Sequence, residues 1–240
     1  MAGHNKWSKV KHIKAKADAS KAKAFTRFGR EIIMAAKAGG GDPNMNAALR
    51  AAIERARGVN MPMSNIERAI AKGTGALDSE NYEEVMYEGY GPCGVAVYIR
   101  ALTDNRNRTV AELRGIFNKN GATLGDSGTV NWMFERKGVF QFEDLGKSEE
   151  EFMELALDAG CDDISVSDNV YTAFCAAESF GEVRNAFEAK KLKATEADLQ
   201  YVPKTPTPLN EADSQTVADF IDAVDEYDDV QNVYTNAQFA

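Results

Sequence analysis

Seven lysines, Lys6, Lys9, Lys11, Lys14, Lys16, Lys21 and Lys23, fall within the first 23 residues, opposed only by Asp18. Their spacers are small or aliphatic, and Trp7, His4 and His12 are interleaved among them. Adding Arg27 and Arg30 makes nine cations against one anion in thirty residues, with no acidic partners at helical spacing to neutralise them. Such a segment can neutralise backbone phosphates and release their counterions. Trp7 can stack on an unpaired base, or it can anchor the arm on its own domain; both readings stand. His12 adds a polar contact to the same arm, and with no Cys or carboxylate set beside the histidines no metal site is expected. A second pair of cations, Arg106 and Arg108, lies in Thr103-Asp-Asn-Arg-Asn-Arg-Thr109, where a helix is predicted to open. They are placed to hold an anion at a helix N-terminus, or Asp104 and the asparagines simply organise a turn; the two readings are even.

Other candidate chemistry is weaker. Gly125-Asp-Ser-Gly128 resembles the nucleophile segment of serine proteases, but the chain's only histidines are His4 and His12, in the basic arm. A triad needs a base held by a third group, so no enzyme is expected. Cys93, Cys161 and Cys175 are odd in number and never in a C-x-x-C spacing, and each is expected to be a buried, inert thiol. The acidic run Asp225-Glu-Tyr-Asp-Asp229 could hold a cation and is read instead as a solvated helix end. No cofactor and no small-molecule substrate is implied.

The charge division extends to the whole chain. Residues 1–75 hold 15 Lys+Arg against 5 Asp+Glu, a net of +10; the remaining 13 against 32 give −19, and the two sum to the overall −9. A basic head on an acidic body points to a polyanionic partner that the head grips and the body avoids. No apolar run approaches a membrane span and no secretory signal is read, so a cytoplasmic protein with no membrane partner is expected.

The elements that must position these residues follow from periodicity. Phe25, Phe28 and Ile32 mark a helix from about Asp18 to Gly39-Gly40-Gly41, with Lys16, Lys23, Arg27 and Arg30 on the face opposite the apolar stripe. Asp42 with Pro43 is predicted to cap a second helix built on Leu49, Ile53 and Ala56. Ser64 to Glu67 is predicted as a capping box for a third, built on Ile66 and Ile70. The connection from Gly58 to Met63 reads as longer than a helix-turn-helix turn, and the third helix carries only Arg68 and Lys72 as cations, so phosphate gripping is favoured over base reading. Residues 1–77 are thus a three-helix bundle with an N-terminal arm.

Beyond Leu77 the alternation is that of strands. A glycine-rich turn joins a hairpin at residues 88–94. Thr109 to Glu112 is predicted as a capping box, with Val110, Leu113 and Phe117 facing inward, and a strand is expected around Val130–Phe134. Residues 135–203 read βαββαβ, a ferredoxin-like arrangement. Residues 203–208 form a proline-rich linker. The last helix, with Val217, Phe220, Ile221 and Val224, and the strand Val230–Tyr234 cannot make a core alone, so they return to complete the first α/β unit. The expectation is an α+β chain of three domains: 1–77; 78–134 with 204–240; and 135–203 inserted between the two pieces.

The segments Gly3-His-Asn-Lys-Trp-Ser-Lys-Val-Lys, Tyr87-Glu-Gly-Tyr-Gly-Pro, Thr103-Asp-Asn-Arg-Asn-Arg-Thr and Asp229-Val-Gln-Asn-Val-Tyr-Thr-Asn resemble the YebC family, essentially end to end. The resemblance implies a helical domain and two α/β domains, the ferredoxin-like one inserted into the other. It implies a regulator of gene expression. Bacterial members carry the label of probable DNA-binding transcriptional regulator, whereas mitochondrial relatives are similar to translational activators, and some bacterial members are credited with assisting ribosomes through difficult peptide sequences. The implied partner is therefore DNA or, alternatively, ribosomal RNA.

Overall fold

The computed structural model describes residues 17–78, 81–167 and 169–240. Three helices come first: α1 (Ala17–Gly39), α2 (Ala47–Gly58) and α3 (Met63–Gly73). Their apolar stripes meet in a core of Ile32, Ile33, Leu49, Ile53 and Ile66, with Phe25, Phe28 and Ile70 packed at its edge. Two predicted caps move. Asp42 forms a turn instead of a cap, its carboxylate accepting from the Asn44 N–H at 2.9 Å. The cap of α2 is Asn46, whose Oδ1 accepts from the Leu49 N–H at 3.0 Å while its Nδ2 donates to the carbonyls of Ala35 and Gly40. One side chain thus starts α2 and ties down the end of α1. Gly39 permits this approach, since a Cβ there would lie 2.6 Å from the Asn46 amide. The cap position of α3 is Pro62, with no side-chain hydrogen bond, and Ser64 lies inside the helix. Residues 59–62 alone join α2 to α3. That is a helix-turn-helix length, correcting the longer connection expected.

The body begins with the hairpin β1 (Glu83–Tyr90) and β2 (Ala96–Thr103), followed by α4 (Arg106–Lys119) and β3 (Thr123–Gly125). The chain leaves through β4 (Phe134–Glu143), α5 (Glu149–Ala159), β5 (Asp163–Ser167), β6 (Val170–Ala176), α6 (Phe180–Ala189) and β7 (Glu196–Pro203). It returns as β8 (Thr207–Pro208), α7 (Glu211–Asp225), β9 (Val230–Thr235) and β10 (Ala237–Gln238). The first sheet has the order β3-β1-β2-β9, so the last long strand closes the sheet the first hairpin began. All its pairs are antiparallel, with Val97 opposite Thr235 and Ile99 opposite Val233. Helices α4 and α7 cover one face, where Phe117 and Phe220 meet edge to face at 5.0 Å. The second sheet has the order β5-β6-β4-β7, the antiparallel split βαββαβ arrangement. Its core gathers Phe140, Phe142, Phe152 and Phe187 under α5 and α6.

The two sheets are joined by aromatic packing. Tyr201 of β7 stands edge-on to Tyr98 of β2 at 4.9 Å and lies 5.4 Å from Tyr234 of β9. Phe134, the first residue of β4, completes the cluster. Three further expectations are corrected here. The segment Asn131–Met133 is a 3-10 turn, not a strand. The proline-rich segment 203–208 does more than link, since β8 pairs in parallel with β10. Cys93 is exposed at a positive φ of 57° in the hairpin turn, while Cys161 and Cys175 are buried. Burial pushes the Cys161 thiol up to about 12, which suits an inert core position.

Candidate nucleic-acid interface

Lys6, Trp7, Lys9, Lys11, His12, Lys14 and Lys16 lie outside the described residues. Lys21, on the first turns of α1, is exposed. From there the helix changes role. Lys23, Arg27 and Arg30, expected opposite the apolar stripe as nucleic-acid contacts, are turned onto the end of α7 and the loop that follows it. Lys23 donates to the Asp225 carbonyl and pairs with its carboxylate at 3.6 Å, and Arg27 reaches the same carboxylate at 3.4 Å. Arg30 donates to the Asp228 carbonyl, pairs with Asp229 at 2.9 Å and sits 5.2 Å over the Tyr82 ring. Helix α7 has no basic residue in its own last turn. The negative end of its dipole is instead complemented by cations from a helix some 200 residues away in sequence.

The acidic run is therefore only partly a solvated helix end: Glu226 and Asp228 are exposed, whereas the Asp225 and Asp229 carboxylates are engaged within the chain. Asp229 is 3% exposed and accepts four contacts: Arg30, Arg108 at 3.1 Å, the Thr109 hydroxyl at 2.7 Å and the Tyr227 hydroxyl at 3.0 Å. Burial alone would discourage its ionisation. The hydrogen bonds from Thr109, Arg108 and Tyr227, with the field of Arg30, outweigh that and hold the carboxyl below its ordinary value of 3.8.

The second predicted pair is also engaged within the chain. The side chain of Asn105, not Thr109, caps α4, accepting from the Arg108 N–H at 3.1 Å. Thr109 is buried and serves Asp229. Arg106 forks onto Glu83 with bonds of 2.6 and 2.7 Å, and that bond holds the Glu83 carboxyl below its usual range. Arg108 bridges Asp104 at 2.6 Å and Asp229. The structure thus gathers Arg30 and Arg108 on one carboxylate, and leaves Arg106 at the rim. A further network ties the head to both sheets. Glu31 of α1 pairs with Arg55 at 2.9 Å and Arg100 at 3.8 Å, and Arg55 reaches Asp198 of β7 at 3.7 Å. Sequence reasoning passed over the exposed Arg50 and Arg57 on α2, though their seven-residue spacing places both on one helix face.

Gly125 to Gly128 is a loop held from behind. The buried carboxylate of Glu88 accepts from the N–H groups of Gly128, Val130 and Asn131 at 3.0, 2.7 and 2.9 Å. Changing Glu88→Ala would strand the buried Val130 donor and free the loop. A stability loss of about 1–3 kcal/mol is expected by urea denaturation. Among the described residues no cluster of three or more His, Cys, Asp or Glu could hold a metal ion, and no helix is long and apolar enough to cross a membrane.

A basic helical head pinned by ion pairs to an acidic body of two α/β layers defines a multi-core α+β protein with its polar network at the junctions. Residues 5–76 match the TACO1/YebC protein N-terminal domain, and residues 82–237 match the TACO1/YebC second and third domain. The chain belongs to the TACO1/YebC family. It is 50% identical over 237 residues to a "probable transcriptional regulatory protein" of Thermotoga maritima, covering 98% of this chain and 93% of that one. A protein of the same description from Pelotomaculum thermopropionicum is 49% identical over 98% of both chains. The crystal structure of a conserved hypothetical protein from Aquifex aeolicus superposes with a TM-score of 0.85 at 42% identity, over 95% of this chain and 94% of that one.

Proposed function

We propose that this chain is a non-enzymatic, cytoplasmic regulator of gene expression that binds nucleic acid through its N-terminal arm, with DNA as the partner. The description of its relatives as transcriptional regulatory proteins supports regulation. The observation that carries the binding assignment is the division of cations within the head. Lys23, Arg27 and Arg30 are satisfied by the body, whereas the run from Lys6 to Lys21 has only Asp18 as an anion in its own sequence. Charge of that density draws phosphate, and the net negative charge of the body concentrates the backbone contacts on the arm. The four-residue connection of α2 and α3 is compatible with duplex binding.

A second reading has ribosomal RNA as the partner. It is favoured by the sparse cations of α3, where Arg68 is exposed and Lys72 half-buried, since a recognition helix needs side chains that reach base edges. Sedimenting a cell lysate through a gradient separates the two. Co-migration with ribosomal subunits that survives DNase and is lost with RNase selects the ribosomal reading. Absence from those fractions, together with protection of a particular duplex from cleavage, selects transcription.

A further inference from the structure

Trp132 is 63% exposed, although it follows the buried Val130 and precedes the buried Phe134. Its indole is also held still. The ring N–H is turned back onto the Thr129 carbonyl at 3.1 Å, so the polar edge is satisfied inside its own loop and the ring is left displayed. The residue's carbonyl accepts from the Lys204 ammonium at 2.9 Å, and the Lys204 N–H donates to the next carbonyl, that of Met133, at 2.9 Å. Behind the loop stands the Glu88 carboxylate with its three backbone bonds. On either side Val130 and Phe134 are sunk into the aromatic cluster between the sheets. A large apolar ring kept in water by a rigid frame has a cost that packing does not offset, and ordering it in advance removes the entropy a ligand would otherwise have to supply.

We propose that the exposed face of Trp132 is a stacking platform for an unpaired nucleobase, a second contact point on the body, remote in sequence from the arm. The inference rests on the nucleic-acid reading above. An exposed π-face on a residue whose carbonyl holds an exposed ammonium supplies the two elements single strands use, a ring for the base and a cation for the backbone phosphate. Lys204 has N–H groups left for a phosphate after binding the Trp132 carbonyl. The platform takes single-stranded segments of either polymer and does not distinguish sequence, because every base has a face to stack.

The test uses the full chain. The sequence holds two tryptophans, so a Trp7→Phe background leaves Trp132 as the only indole reporter. Adding a twelve-nucleotide oligo(U) or oligo(dT) is expected to quench its fluorescence, and a mixed-sequence duplex is not. In the parent chain, Trp132→Ala is expected to weaken single-strand binding about 5- to 150-fold. Duplex affinity stays within about twofold, and Trp132→Phe retains most of the binding because a ring remains. Stacking releases no counterions, so the loss is the same at every salt concentration and the slope of log K against log salt is unchanged. Leu157→Ala, which removes an equally exposed apolar side chain from α5, leaves affinity unaltered. An unquenched Trp132 in a chain that binds oligonucleotide, or Trp132→Ala binding as tightly as the parent, overturns the platform and spares the arm. A chain that captures neither polymer overturns both. Loss of a protein contact with oligonucleotide affinity intact would assign the ring to a protein interface and overturn the proposal.

Discussion

Reversing four charges of the arm, in the quadruple variant Lys9→Glu, Lys11→Glu, Lys14→Glu and Lys16→Glu, is expected to abolish nucleic-acid capture while the melting temperature stays unchanged. If about five phosphates are neutralised by the wild type, log K falls against log salt with a slope near −4 to −5. The variant replaces four of those attractions with repulsions, so both the affinity and its salt dependence collapse together. The structure supplies the contrast. Equivalent changes at Lys23, Arg27 and Arg30 remove the partners of Asp225 and Asp229, so they are expected to lower stability first. Filter binding across a salt series, beside thermal melting, separates the two groups of cations. An arm variant with an unaltered slope would move the binding surface elsewhere on the molecule.

Asp229→Ala is expected to be the most damaging single change to stability, about 3–5 kcal/mol by urea denaturation at neutral pH. Removing one member of a buried ion pair leaves the other uncompensated. Arg30, 12% exposed at its side chain, is the group stranded; Arg108 can still turn to Asp104. The Tyr227 hydroxyl loses its acceptor as well, whereas that of Thr109 can turn to the Asn105 carbonyl at 3.1 Å. With the contact between α1 and the loop after α7 broken, protease cleavage between α3 and β1 is expected to rise. The same carboxylate dictates a pH dependence. Its folded pKa is depressed below 3.8, so its contribution is fully present above that value and is lost as pH falls through the folded pKa. Wild-type stability should therefore hold its Asp229 component down to about pH 4 and shed it below. Asp229→Asn should flatten that acid limb. A variant that unfolds at the wild-type urea concentration would show that the head is held by the apolar and Glu31 contacts alone.

Much of the architecture was legible because it is written in local periodicity. Phe152, Ala156, Val183 and Phe187 recur at helical spacing between alternating strands, and α5 and α6 duly cover the second sheet. The stranded helix carrying Val217, Phe220 and Ile221 had no core of its own, and it lies over the first sheet beside α4. Caps were less legible, since Asp42, Ser64 and Thr109 all have capping chemistry and the backbone path chose Asn46, Pro62 and Asn105 in their place. The candidate interface was half legible: density of charge can be counted, but what each cation faces cannot.

What the amino-acid sequence determined by itself is the polarity of the chain, a basic head and an acidic body, and the order of elements that bury each apolar stripe. Those are sums and short repeats, and no distant residue alters them. Only the tertiary structure decided which cations are already balanced and which ring stays in water. Arg30 meets Asp229, and Val130 and Phe134 sink while Trp132 does not, because packing brings together groups separated by up to 200 residues. Coulombic and stacking energies depend on distance and burial, and neither is a property of spacing along the chain.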